Sequence, residues 1–285
     1  MRTRLRIFLT ALGALLVSAC SSASFFVANA PVPFSDAQRH HDIAYGPEEW
    51  QALDIYTPEK MESPAPVLVF FYGGRWTLGN KEQYAFAALP FVEKGYIVVI
   101  PDYSKYPDVK FPAFVDDAAL ATSWVYDNIA EYKGNNKRLY LSGHSSGAHL
   151  AALVTADPEY LKKYGKNRSI VRAFSGLAGP YDFIPEDKDL KDMFGPPENY
   201  PQMQVPTFID GRQPPMQLLH GGDDKDVIQR NLDRLKAKID DKGGIVETKI
   251  YPGIDHKEIV GALSWVWQDK APVSQDMVEF FEKHK

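Results

Sequence analysis

Between residues 65 and 253 the chain alternates two kinds of segment. Short runs are continuously apolar and rich in β-branched or aromatic residues, and longer stretches between them carry apolar residues at helical spacing. "PVLVFFYGG" (66–74) and "YIVVIPDY" (96–103) are the clearest runs, and they read as strands buried on both faces. "RLYLSG" (138–143), "RAFSGLAG" (172–179), "PMQLLHGG" (215–222) and "VETKIYPG" (246–253) continue the series. Helical patterns fall at 81–94, 113–132, 146–156, 226–241 and 273–284. This alternation predicts an α/β fold, with a mostly parallel sheet covered by helices on both faces. Two earlier segments, 40–46 and "WQALDIY" (50–56), predict antiparallel edge strands and bring the sheet to about eight strands. Residues 181–213 break the rhythm with five prolines and weak periodicity. A long irregular connection of this kind predicts a small cap over the carboxyl ends of the strands.

The start of the chain is a separate device. "MRTRLRIFLTALGALLVSAC" opens with Arg2, Arg4 and Arg6, runs apolar from Ile7 to Val17, and ends in small residues before Cys20. The apolar run is short for a bilayer span and has the layout of a secretory signal. The ending "VSAC" resembles the lipobox of bacterial lipoproteins. That resemblance implies removal of residues 1–19 and lipidation of Cys20, which would anchor the mature chain to a membrane. Ser21 stands where an aspartate would imply inner-membrane retention, so the expected place is the outer membrane, facing the periplasm. Cys20 is the only cysteine, and no internal disulfide can form. Residues 20–38 read as a tether of small, polar and proline-bearing positions, leaving one folded domain over 39–285.

Composition agrees with a single large globular unit: 285 residues, 45% apolar and 24% charged. The formal net charge is −5, and loss of the three leader arginines takes it to −8. An acidic chain with no basic cluster among aromatics excludes nucleic acid as the main partner.

The chemistry centres on "LYLSGHSSGAHLAALV" (139–154), where a strand hands over to a helix through Gly143-His144-Ser145-Ser146-Gly147. Strand, tight turn and helix are the context of a nucleophile elbow, with Ser145 at the apex. The amide of Ser146 then points a donor at a reacting carbonyl from a helix start. A serine hydroxyl also needs a base. Of seven histidines, His40 and His41 precede the core and His284 lies at the chain's end. His144 and His149 flank the elbow and read as local packing or hydrogen-bonding groups, and His220 ends a strand before a Gly-Gly turn. His256, in "YPGIDHKEIVG", follows the last predicted strand on a loop at the Ser145 end of the sheet, which makes it the best-placed base. An acid must orient that base, and "LLHGGDDKDVI" offers Asp223, Asp224 and Asp226, the last also a candidate helix cap. No histidine, cysteine or carboxylate cluster has metal-ligand spacing.

With "LDIYTP", "FFYGGRWTLGNK", "VVIPDYSKYPDVKFPAFVDDA" and "LAGPYDF", these motifs cover most of residues 45–265. The chain resembles serine esterases of the α/β-hydrolase superfamily, nearest the carboxylesterase-like branch with kynurenine-formamidase-like and feruloyl-esterase-related enzymes. That resemblance implies the α/β-hydrolase fold and the triad order Ser145, Asp224, His256. Asp224 fits the family spacing, four residues after His220 and three before Val227. It also implies an oxyanion loop after the third strand, with the amides of Gly74 and Arg75 joining that of Ser146 and Gly73 shaping the turn. The pattern departs at Tyr72, where a histidine is usual, at Arg75, where a third glycine or an aromatic is common, and at Ser104, where relatives often carry arginine. Trp76, Tyr181 and Phe183 are candidates for the pocket. The implied activity is cleavage of small carboxylic esters through an acyl-enzyme, without metal or organic cofactor. Short-chain or aryl esters are expected because no long apolar lid is present. Two alternatives remain at this point: an arylformamidase-like amide hydrolase, and an inactive lipid-anchored binding protein, which Tyr72 and Ser104 keep open.

Overall fold

The structure, a computed structural model, describes residues 23–61 and 63–285. The expected leader 1–19 and Cys20 lie outside the described residues. Among the described residues eight strands form one sheet: β1 (Gln38–Ala44), β2 (Ala52–Thr57), β3 (Ala65–Phe71), β4 (Ile97–Pro101), β5 (Gly134–His144), β6 (Val171–Leu177), β7 (Met216–Gly221) and β8 (Val246–Tyr251). Their spatial order is β1-β2-β4-β3-β5-β6-β7-β8. β1, β2 and β4 pair antiparallel, and every pair from β4 to β8 is parallel. The central strands β3 and β4 are buried along almost their whole length, as a sheet covered on both faces requires.

The helices are α1 (23–28), α2 (Leu89–Val92), α3 (Ala113–Asn128), α4 (Ser146–Ala156) and α5 (Pro158–Lys162). α6 (Lys188–Phe194), α7 (Tyr200–Met203), α8 (Arg230–Asp241), α9 (His256–Gly261) and α10 (Val273–Lys283) follow. α4 is buried on every side, consistent with its run of Ala, Leu and Val, and it holds the centre of the helical layer. α8 buries only Leu232, Leu235, Ile239 and the neighbouring Asn231, an amphipathic stripe at helical spacing.

Three expectations change. The helix expected over 81–94 is reduced to a 3-10 turn at Ala85–Ala88 and the single turn of α2, because Pro90 has no amide for a continuous ladder. Residues 23–34, expected within a free tether, lie on the domain instead. Phe25 packs on Tyr84 at 5.1 Å between ring centroids, and the Asn29 side chain bonds Gln83 O and Phe86 N. Asp226 does not cap the helix after it; α8 begins at Arg230 with Gln229 before it.

Candidate active site

Ser145 stands at the carboxyl end of β5, in the middle of the sheet. Its backbone takes φ 54° and ψ −123°, a left-handed conformation that costs about 1–3 kcal/mol for a residue with a side chain. Two bonds hold it there: Ser145 N donates to Leu177 O at 2.9 Å, and Ser145 O accepts from His149 N at 3.1 Å. The flanking glycines are required by close approach. A Cβ on Gly147 would stand 2.1 Å from Phe71 O, and one on Gly143 would stand 2.5 Å from the carbonyl carbon of Gly147. The elbow is pressed against the end of β3 with no room for a side chain at either position.

Asp224 follows β7 and His256 follows β8, so both reach the same rim. Ser145 Oγ lies 2.9 Å from His256 Nε2, and His256 Nδ1 lies 2.7 Å from Asp224 Oδ2. The three predicted residues therefore form one hydrogen-bonded line in which the hydroxyl donates to Nε2 and Nδ1–H donates to the carboxylate. The Asp224 side chain is fully buried. Burial raises its pKa, but the His256 bond and the Val227 amide outweigh that and leave it below the ordinary carboxylate value. Its Oδ1 accepts from both the Asp226 and Val227 amides. Asp223, the rival acid, is exposed.

His256 was expected on a loop and is instead the first residue of α9. Asp255 caps that helix through the Lys257 and Glu258 amides, and the Glu258 side chain returns to the Asp255 amide. This capping box fixes where the imidazole starts. The signal was legible as Asp255-His256-Lys257-Glu258, with Asp and Glu three apart.

The loop after β3 lies beside the elbow because β3 and β5 pair up to Phe71 and Gly143. Gly74, Arg75 and Trp76 have φ of 151°, 55° and 60°, a succession of left-handed residues. The Gly74 and Arg75 amides take no acceptor among the described residues. Ser146, as the first residue of α4, has an amide with no acceptor within its helix. All three predicted donors are thus main-chain groups on segments that meet at Ser145.

Residues 53–239 match a protein-family model described as BD-FAE. The chain belongs to the BD-FAE family. Over 76% of its length it is 28% identical to a probable isoprenylcysteine alpha-carbonyl methylesterase of Arabidopsis thaliana, half of which is covered. Over 50% of its length it is 34% identical to a kynurenine formamidase of Danio rerio, 47% of which is covered. The chain spans about half the length of these relatives. Esterase B from Lactobacillus rhamnosis shares its fold, with a TM-score of 0.81, 18% identity, and coverage of 97% of this chain and 94% of that one.

In this BD-FAE chain the place of the usual loop histidine is taken by a tyrosine with a partner. The Tyr72 hydroxyl donates to Asp102 Oδ1 at 2.5 Å, and the Lys81 amide donates to the same oxygen at 3.0 Å. The Tyr72 ring is sandwiched between Tyr103 and Tyr84, at 4.7 and 5.5 Å, so the residue entering the loop is fixed at both ring and hydroxyl. Ser104 contributes its amide to Asp117, which also accepts from Gln51 and Trp50, while its hydroxyl has no partner among the described residues.

The sequence reads the two elbow histidines as local packing or hydrogen-bonding groups, and the structure shows the bonds. His144 Nε2 is 2.8 Å from the His256 carbonyl oxygen, and the two rings lie 4.8 Å apart. Burial first, and the neighbouring His256 second, push the His144 pKa down to about 3. His149 Nε2 bonds Met203 O at 2.7 Å, and burial pushes its pKa down to about 4. His149 also stands edge-on to Trp76, Phe183 and Phe194, and Trp76 stacks on Phe183 at 5.5 Å. Trp76 and Phe183 therefore belong to one aromatic wall beside the elbow, half open at Phe183. Tyr181 does not join it. Its ring fills the space left by the missing side chains of Gly176 and Gly179, in the core.

Proposed function

We propose that the chain is a serine hydrolase that cleaves carboxylic esters, favouring short-chain or aryl substrates. It would work in the bacterial cell envelope on a lipid anchor at Cys20. The observation that carries the chemistry is the hydrogen-bonded line Ser145–His256–Asp224 beside a loop of free amides. Membership of the BD-FAE family and the methylesterase name of one relative agree with it. The location rests on residues 1–21 alone: basic start, apolar run, "VSAC" and the serine after it.

In this mechanism Ser145 Oγ attacks the ester carbonyl carbon while His256 Nε2 takes the hydroxyl proton. Asp224 holds Nδ1–H and stabilises the imidazolium. The amides of Gly74, Arg75 and Ser146 receive the negative charge on the former carbonyl oxygen, each worth about 3–4 kcal/mol in the transition state. His256 then gives its proton to the leaving alcohol, and the acyl group stays on Ser145. A water, deprotonated by His256, releases the acid by the same route. The short-chain preference follows from the insertion at 181–213, whose helices run to seven residues at most and offer no long apolar lid.

The similarity to a kynurenine formamidase keeps aryl formamides on the substrate panel, since the same triad would cleave them. The decisive test is labelling of the whole chain with a fluorophosphonate probe. The wild type should label once, at Ser145, and Ser145→Ala should not label; persistent labelling of the variant removes the reading. Turnover of p-nitrophenyl acetate should exceed that of the decanoate, and the reverse order refutes the short-chain preference.

A further inference from the structure

Four large apolar residues stand exposed together at one junction. Phe26 and Val27 of α1 are 79% and 45% exposed, and Trp265 and Val266 are 53% and 41% exposed. The two pairs sit on segments 238 residues apart in the chain that meet where Trp265 Nε1 donates to Val27 O at 3.0 Å. A tryptophan that spends its only polar atom on a neighbouring main chain leaves the rest of its ring as apolar surface.

Each side of this junction connects to a segment that carries part of the catalytic site. α1 leans on Tyr84, whose ring stacks on Tyr72 at the entry to the Gly73-Gly74 loop. Trp265 lies four residues beyond α9, the helix that His256 begins. Leu78, on the same loop as Gly74, is also exposed. The location of Cys20 bounds what can cover this surface. Three peptide steps separate Cys20 from residue 23, the start of α1, so an acyl group on Cys20 leaves the protein within about 10 Å of α1.

We propose that Phe26, Val27, Trp265 and Val266 form a membrane-docking surface that seats the domain on the bilayer carrying its own anchor. This rests on the lipoprotein reading of Cys20. The anchor supplies the affinity, and the patch fixes the orientation, since a tethered apolar surface meets the bilayer at high effective concentration. Exposed Trp and Phe rings on one face bury themselves at the headgroup–acyl boundary. Docked this way, the rim between the Gly74 loop and α9 faces ester groups at the lipid–water boundary.

The experiment uses the full chain, expressed with its leader in a bacterial host and reconstituted in phosphatidylethanolamine–phosphatidylglycerol vesicles. Mass spectrometry of the N-terminal peptide reads acylation of Cys20. Tryptophan emission is then measured with lipids brominated on the acyl chain near the headgroup. The expected result is acylated Cys20 and quenching of about one of the five tryptophans, lost in Trp265→Phe. A Phe26→Ser/Val266→Ser variant, altered at exposed positions only, should lose the quenching and turn over vesicle-borne esters at least about tenfold more slowly, with unchanged kcat/KM on a water-soluble ester. An unmodified Cys20 refutes the lipoprotein reading and the proposal with it. Acylated Cys20 with unquenched Trp265 overturns the proposal alone. So does shielding of Trp265 from both lipid bromine and aqueous iodide in a sedimenting dimer, which would make a second copy the occupant.

Discussion

Replacing His144 tests whether the geometry around the base matters as much as the base. The ring is buried between two segments that must hold still during turnover. On one side Nε2–H donates to the His256 carbonyl at 2.8 Å; on the other Nδ1 is 2.8 Å from where a Cβ on Gly73 would stand. With a pKa near 3 the ring stays neutral at any working pH, so its single proton is committed to that carbonyl. His144→Ala removes a buried hydrogen bond, about 1–3 kcal/mol, and leaves a void that brings the total loss of stability to about 2–4 kcal/mol. The kinetic effect comes from displacement of the imidazole and the Gly73 loop. A shift of about 1 Å in a positioned catalytic group costs roughly 10²-fold in rate. His144→Ala should therefore lower kcat/KM for p-nitrophenyl acetate by about 30- to 100-fold, mostly in kcat. His144→Gln, whose amide can donate to the same carbonyl, should recover about tenfold of that loss. Rates are to be divided by the concentration of sites titrated with fluorophosphonate, which removes unfolded protein from the comparison. An alanine variant within about threefold of wild type after that correction would refute the reasoning.

Asp224→Asn should lower kcat by about 10⁴-fold with little change in KM, read by steady-state kinetics on the same ester. Because the folded pKa of Asp224 lies below its unfolded value, its stabilising effect is present above about pH 4 and is lost as pH falls through the folded value. A plot of Tm against pH should consequently drop less steeply in acid for Asp224→Asn than for wild type. Gly74→Ala should cost at least about 10²-fold in kcat, since the new Cβ would stand 2.0 Å from Leu78 O at a φ of 151°; wild-type turnover would exclude this loop as the oxyanion site. Tyr72→Phe keeps the stacked ring and deletes the bond to Asp102, about 1.5–3 kcal/mol for a charged acceptor, so Tm should fall by about 3–10 °C in a thermal melt.

The sheet was legible in the chain because buried parallel strands leave uninterrupted runs of β-branched and aromatic residues, and all eight emerged near their expected positions. The chain order of the polar groups at the strand ends pointed to Ser145 and His256, and the family spacing was needed to choose Asp224 among three aspartates; the fold brings all three within hydrogen-bond reach. What escaped was decided by competition among neighbours. Asp226 has the chemistry of a cap, but α8 starts four residues later, at Arg230. Tyr181 reads as a pocket residue until the gap over Gly176 and Gly179 is seen. Phe25 and Asn29 sit in a stretch with the composition of a tether, and only the ring of Tyr84 and the open main-chain groups at Gln83 and Phe86 give them somewhere to dock. Tyr72 looked like a missing histidine because its partner, Asp102, is thirty residues away in sequence.

The insertion between β6 and β7 supplies Phe183 and Phe194 to the aromatic wall and sends Asp187 to pair with the Arg75 side chain, yet contributes none of the three triad residues. In the proposed hydrolase this puts part of the wall beside Ser145 on a different stretch of the chain from the reacting groups, while Trp76 joins that wall from the Gly74 loop. Under that reading, exchanging residues 181–213 between homologues should change the choice of ester while the reacting groups keep their places.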